Sequence, residues 1–170
     1  LKNGISTIIS NIERINANIL PPKAKACGQY INSILAKVQA LEYEVDEAIM
    51  LDHRGFVSEG PGENIFMVKN GGILTPPLHA SILEGITRDS IIKIARDLDY
   101  EVVESDIDRC MLYSADELFF TGTAAEVTPI KSVDGHEMGK PGPVTKKLQD
   151  MFFKTVQGKV GEYEGWLDYV

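Results

Sequence analysis

The chain has 170 residues, 44% hydrophobic and 25% charged, and its 25 acidic against 17 basic side chains leave a formal charge of −8. A chain of this length removes roughly 70% of its unfolded surface from water, so one domain with a single sizeable core is expected, without metal or disulfide staples. The acidic balance argues against general binding to phosphate backbones, which needs clustered Lys and Arg, and no apolar run reaches the ~20 residues of a membrane span.

In chain order, residues 4–15 (GISTIISNIERI) predict a strand, with Ile5, Thr7 and Ile9 on one face and Ser6 and Ser10 on the other. After Pro21 and Pro22, the recurrence of Ile31, Ile34, Leu35, Val38 and Leu41 predicts an amphipathic helix of about three turns. Residues 47–52, a turn at His53-Arg54-Gly55 and residues 56–58 suggest one hairpin; residues 64–69, Asn70-Gly71-Gly72 and residues 73–75 suggest another. Thr87 precedes a second helix with Ile91, Ile92, Ala95 and Leu98 as its apolar stripe and Asp89 in its first turn. Strands follow at residues 101–107, 117–121 and 126–133. The last helix starts near Pro143 and is expected to bury Val144, Leu148, Met151, Phe152 and Val156 before a cap at Gly158. Hairpins interleaved with three helices imply an α+β domain, and the lack of strict βαβ alternation excludes a doubly wound sheet.

Several catalytic motifs fail on inspection. Gly60-Pro61-Gly62 begins like a dinucleotide fingerprint but lacks its third glycine and leads into a strand, where no helix N-terminus can meet a pyrophosphate. Residues 135–140 (GHEMGK) are one residue short of a phosphate loop, and Pro141 stands where a hydroxyl should ligate magnesium. His53, His79 and His136 share no metal-ligand spacing with one another or with Cys27 and Cys110, so solvated loop histidines are expected and no metal site. With two cysteines far apart, a disulfide framework is not expected, and a reducing, cytoplasmic setting fits.

Four loops are unusual for simple connectors: PPKAKACGQY (21–30), VSEGPGEN (57–64), LEGITRD (83–89) and FTGTAAEVTP (120–129). GITRD places a glycine, two backbone amides and a Thr hydroxyl at a helix start, where exposed N–H groups and the helix dipole favour an anion. Taken alone, that segment equally describes an ordinary capped helix.

Together the segments GQYIN, GFVSEGPGENIF, ILEGITRD, ADELFFTGTAAEVTPI, GPVTKKLQ and WLDYV make the chain resemble the fold-type IV pyridoxal-phosphate enzymes. The nearest likeness is to their branched-chain amino-acid aminotransferase members, with D-amino-acid aminotransferases and aminodeoxychorismate lyases as alternatives in the same fold. A noncatalytic domain retaining a ligand pocket is the alternative from another class. The resemblance implies a mixed, barrel-like sheet with surrounding helices over residues 1–170, a pyridoxal 5'-phosphate cofactor, and exchange of an amino group between Leu, Ile or Val and 2-oxoglutarate.

It places the Schiff-base lysine at Lys25, with Lys23 as a competitor that only the family pattern excludes. Glu59 becomes the partner of the pyridine nitrogen, and Tyr30 the donor to the cofactor's phenolic oxygen. Glu63 and Asn64 are expected to brace the loop. The amides of Ile86 and Thr87 and the hydroxyls of Thr87 and Thr123 are expected to hold the phosphate, and amides near Thr123 and Ala124 to face the substrate carboxylate. In the family an arginine for the phosphate comes from a smaller N-terminal domain; that domain is expected upstream of Leu1, and a homodimer or higher homo-oligomer as the assembly. An exposed apolar patch beside Lys25 and Tyr30 would mark the missing contacts.

Overall fold

The computed structural model describes residues 3–168; the first two residues and the last two of WLDYV lie outside that range. The strands are β1 (Ile5–Ile9), β2 (Glu47–Ile49), β3 (Asn64–Lys69), β4 (Gly72–Thr75), β5 (Val102–Glu104), β6 (Glu117–Gly122), β7 (Glu126–Val133) and β8 (His136–Glu137). The helices are α1 (Tyr30–Glu42), α2 (Ile86–Asp97), α3 (Arg109–Tyr113) and α4 (Pro143–Val156).

One mixed sheet runs in the order β2-β1-β7-β6-β3-β4-β5, with β8 on β7. β1 lies parallel to β2 and β7, β4 lies parallel to β5, and the remaining pairs are antiparallel. The two ends of this path are joined by the segment after β2. Leu51 bridges Val57, Phe56 bridges Asp108, and the Val57 amide donates to the Ile107 carbonyl at 2.8 Å. The wall is therefore barrel-like, as expected, and the hairpin predicted over residues 47–58 is one stave of it, with regular strand only over Glu47–Ile49.

Alternation along β3 and β6 divides the core in two. Ile65, Met67, Leu118 and Phe120 point to one face, joining Ile49, Val57, Ile107, Ile130 and Val133. Phe66, Val68 and Phe119 point to the other, against Ile91, Ile94 and Ala95 of α2 and Val144 and Leu148 of α4. Phe66 and Phe119 stack with ring centroids 5.0 Å apart. Burial on both faces explains why NIFMVK and ELFFTG read as almost continuous apolar runs.

Four expectations need correction. The first strand ends at Ile9, because the Ser10 hydroxyl accepts from the Ile12 amide at 2.9 Å and closes a turn that the polar side chain offers in place of the ladder. A fourth helix, α3, begins at Asp108, whose carboxylate accepts from the amides of Cys110 and Met111. Val156 is exposed at the end of α4, where the stripe drifts off the sheet, and Met151 and Phe152 are only partly buried. His136 is exposed but lies in β8, not in a loop.

Helix α1 is turned inside out relative to its apolar stripe. Ala36 and Ala40 pack on Ile8, Ala48 and Met50, and Ser33 is buried with them. Ile31, Ile34, Leu35, Val38 and Leu41 are between 45% and 66% exposed. Small side chains let α1 approach β1 and β2 closely, and that approach leaves the large ones outside.

Candidate active site

One cavity of about 400 Å³ opens where the segments before α1, after β2, before α2 and after β6 meet. Its lining includes Lys25, Tyr30, Glu59, Ile86, Thr87, Thr123 and Ala124, so all seven sequence-predicted site residues meet in one place. Thr87 and Thr123 arrive there from a helix start and from the turn between two strands. Lys23, Arg14, Gln29, Glu63, Asn64 and Thr121 share the wall.

Glu59 sits at the inner end, 3% exposed. Its Oε1 is 2.6 Å from Arg14 Nη2, its Oε2 accepts from Asn64 Nδ2 at 2.8 Å, and the Leu83 amide donates to both oxygens at 3.1 Å. Burial nevertheless pushes its carboxyl up to about 7, against the opposing pull of Arg14 and the Leu83 amide, with Glu63 adding a smaller upward push. Asn64 also donates to the Leu83 carbonyl at 2.9 Å, so the β3 start, the Glu59 loop and the segment before α2 are tied together. Glu63, whose carboxyl is likewise raised by burial and by Glu47, takes the Gly62 amide at 3.1 Å. Asn64 and Glu63 thus brace the loop, and Asn64 touches Glu59 directly.

Lys25 closes a short 3-10 turn (Pro22–Ala24) with a left-handed backbone, φ 46° and ψ 36°. A non-glycine residue held there stores about 1 kcal/mol or more. Lys23 Nζ is engaged by Glu84 at 2.6 Å, whereas among the described residues Lys25 makes no ion pair. Both lysines line the cavity, and this pairing is the difference between them. Gln29 is buried below the loop and donates from Nε2 to the carbonyls of Leu20 (3.4 Å) and Pro21. Tyr30 follows as the first residue of α1.

At the opposite end α2 begins at Gly85 without a side-chain cap. The amides of Ile86 and Thr87 are therefore helix-start donors with no side-chain acceptor, beside the Thr87 side chain, which is 7% exposed. A Cβ at Gly85 would lie 2.1 Å from Asn64 Oδ1, so only glycine permits this approach.

Two further observations favour a polar ligand. Arg14 Nε and Thr121 Oγ1 are buried without a hydrogen-bond partner, and both residues line the cavity. Neither residue stood out in the sequence. Arg14 stands among the polar residues Asn11, Glu13 and Asn16, which give no local sign that it is buried against a distant carboxylate. Thr121 carried no signal either.

Residues 1–133 match the family model described as Amino-transferase class IV. The chain is 47% identical over 172 residues to the branched-chain-amino-acid aminotransferase of Escherichia coli (strain K12), covering 100% of this chain and 56% of that relative. It superposes with TM-score 0.96 on a crystal structure of the branched-chain aminotransferase from Thermoproteus uzoniensis with norvaline, at 46% identity, covering 98% of this chain and 56% of that one. On the branched-chain amino acid aminotransferase from Thermobaculum terrenum in its PLP-form, the holo-form, the TM-score is 0.95 at 43% identity, covering 97% of this chain and 55% of that one. The chain thus spans a little over half the length of the relatives it matches. The family-model match over most of the chain, with the sequence identity and close superposition on these relatives, has one reading: the chain belongs to the class IV aminotransferase family.

Proposed function

We propose that this chain is the cofactor-holding part of a pyridoxal-phosphate-dependent branched-chain aminotransferase, which moves an amino group between Leu, Ile or Val and 2-oxoglutarate. The observation that carries the proposal is the convergence, in one cavity, of a lysine that makes no ion pair among the described residues, a buried carboxylate and an uncapped helix start. The residues present fit the cofactor. The Ile86 and Thr87 amides with the Thr87 and Thr123 hydroxyls match a phosphate, and the unpartnered Arg14 and Thr121 atoms match a polar ligand.

Bound there, pyridoxal 5'-phosphate supplies an electron-withdrawing ring that makes the α-proton of an amino acid removable. Glu59 favours a proton on the ring nitrogen. Tyr30 donates to the phenolic oxygen. Lys25 would hold the cofactor through its amine, and that amine would move the α-proton as base and then acid. Amides near Thr123 and Ala124 face the substrate carboxylate.

The outward apolar face of α1 and Ile86, 83% exposed, support two further parts of the proposal: a second domain over the cavity mouth and an assembly of at least two copies. The exposed, unpaired thiols of Cys27 and Cys110 support a reducing, cytoplasmic setting.

The test is to load the protein with pyridoxal 5'-phosphate, reduce it with borohydride and map the labelled peptide. Label on Lys25, with transamination abolished in Lys25→Ala, is the expected result. Label on Lys23, or none on any lysine, overturns the assignment.

A further inference from the structure

We propose that Arg14 is a positioning residue for this site: held from behind by Ser33 of α1, it favours the ionised form of Glu59 and fixes its orientation, so that Glu59 can favour the protonated form of a pyridine nitrogen. The last clause rests on the function proposed above; the hold of Arg14 on Glu59 does not.

Arg14 lies outside every regular element, five residues past the end of β1, yet is 9% exposed. A buried guanidinium so placed is retained by its partners alone. Its Nη2 meets Glu59 Oε1 at 2.6 Å and its Nη1 donates to Ser33 Oγ at 2.7 Å, while its backbone amide donates to the Leu51 carbonyl at 2.9 Å. Ser33 is itself buried against the sheet by the small-residue face of α1. The chain Ser33, Arg14, Glu59 therefore runs from a helix packed on β1 and β2 into the cavity, and the orphaned Arg14 Nε belongs to the same wall.

The remaining donors to the Glu59 carboxyl, Asn64 and the Leu83 amide, carry no charge; the Leu83 amide also favours the ionised form, but less than the charge of Arg14 does. The charged groups facing Glu59 are Arg14 and, from its own loop, Glu63, which itself faces Glu47 of β2 and Lys37 of α1. Arg14 is the cation among them, and it is in direct contact. Removing it would leave Glu59 buried beside another carboxylate, and the proton would return to Glu59.

The experiment labels glutamate side-chain carboxyls with carbon-13 and follows Glu59, assigned with Glu59→Gln, by NMR in cofactor-free protein. Arg14→Met is expected to move the Glu59 midpoint upward by at least about one pH unit; Arg14→Lys should restore most of it. Ser33→Ala, which leaves the guanidinium in place but unsupported, should produce a smaller upward move. A second arm binds nitrogen-15 pyridoxal 5'-phosphate: the ring nitrogen should be protonated in the wild type and lose its proton at a lower pH in Arg14→Met. An unmoved Glu59 midpoint in Arg14→Met, or in Ser33→Ala should the first variant not fold, overturns the proposal. So does a moved midpoint with an unaltered ring nitrogen. A wild type that binds no pyridoxal 5'-phosphate while Arg14→Met still moves Glu59 overturns the proposed function and upholds the hold of Arg14 on Glu59.

Discussion

Helices α2 and α4 start with the same device and end it differently. Each begins at a glycine in extended conformation, Gly85 and Gly142, and neither glycine can cap with a side chain. At α4 the fold supplies the missing anion. The buried Glu117 carboxylate of β6 takes the amides of Val144 at 3.0 Å and Thr145 at 2.7 Å, so tightly that a Cβ on Gly142 would meet its Cδ at 2.2 Å. At α2 the neighbouring side chain is Asn64, whose amide is turned to Glu59 and Leu83, and no side chain caps the helix start, whose residues Ile86 and Thr87 line the cavity. A helix N-terminus is therefore no evidence of a ligand in itself. What distinguishes the two is whether a carboxylate of the chain already occupies the position.

The largest effect should come from closing the open end. Gly85→Val drives a side chain into Asn64, displacing the brace of Glu59 along with the helix start. Affinity for pyridoxal 5'-phosphate, read by equilibrium titration, should fall about 100-fold or more, roughly 2.7 kcal/mol. Unchanged affinity would erase the distinction between the two helix starts.

Emptying the filled end should act on stability alone. Glu117→Ala leaves two buried amides unpaired and should lower unfolding free energy by roughly 2 kcal/mol in urea, with cofactor affinity untouched. A milder change at the open end, Thr87→Val, should weaken cofactor binding ~10-fold, about 1.4 kcal/mol, while the urea midpoint of the cofactor-free protein stays put. The two variants should thus move opposite observables.

The smallest effect is a slope with pH. The carboxyl of Glu59 rises from its ordinary 4.5 to about 7, so between those values the folded protein binds the proton that the unfolded chain has lost. Stability of the cofactor-free protein should fall as pH rises through that window, measured by urea unfolding at pH 5 and pH 8, and Glu59→Gln should flatten the slope. Asp46 and Asp106, held below their ordinary 3.8 by Ser6 and Arg54 respectively, contribute stability that disappears only in more acidic solution.

Where local pattern and tertiary need agree, the sequence was legible. The β3–β4 hairpin with its Asn70-Gly71 turn, the stripe of α2 and the start of α4 at Pro143 lie where period and turn chemistry put them. Helix α1 shows what periodicity omits: spacing identifies the apolar face, but the small residues decide which face can approach the sheet. Lys25, Tyr30 and Glu59 came from family likeness alone, whereas the helix start at Ile86 and Thr87 carried an anion-binding signature that an ordinary capped helix shares. Arg14 was invisible because its partner is 45 positions away, and a buried ion pair leaves no trace in either local segment.

The segment carrying Lys25 has one further consequence. It is made of two single 3-10 turns around a left-handed residue, with little side-chain burial apart from Pro22 and Gln29. Such a segment opens by local fluctuation at far less free energy than the sheet beneath it, so its backbone amides should take up deuterium long before those of β3 and β6. Gln29, gripping two carbonyls from below, sets the floor of that opening. A covalent tether through Lys25 would add a second fixed point above it, turning the fastest-exchanging stretch of the site into one that exchanges only when the tether breaks.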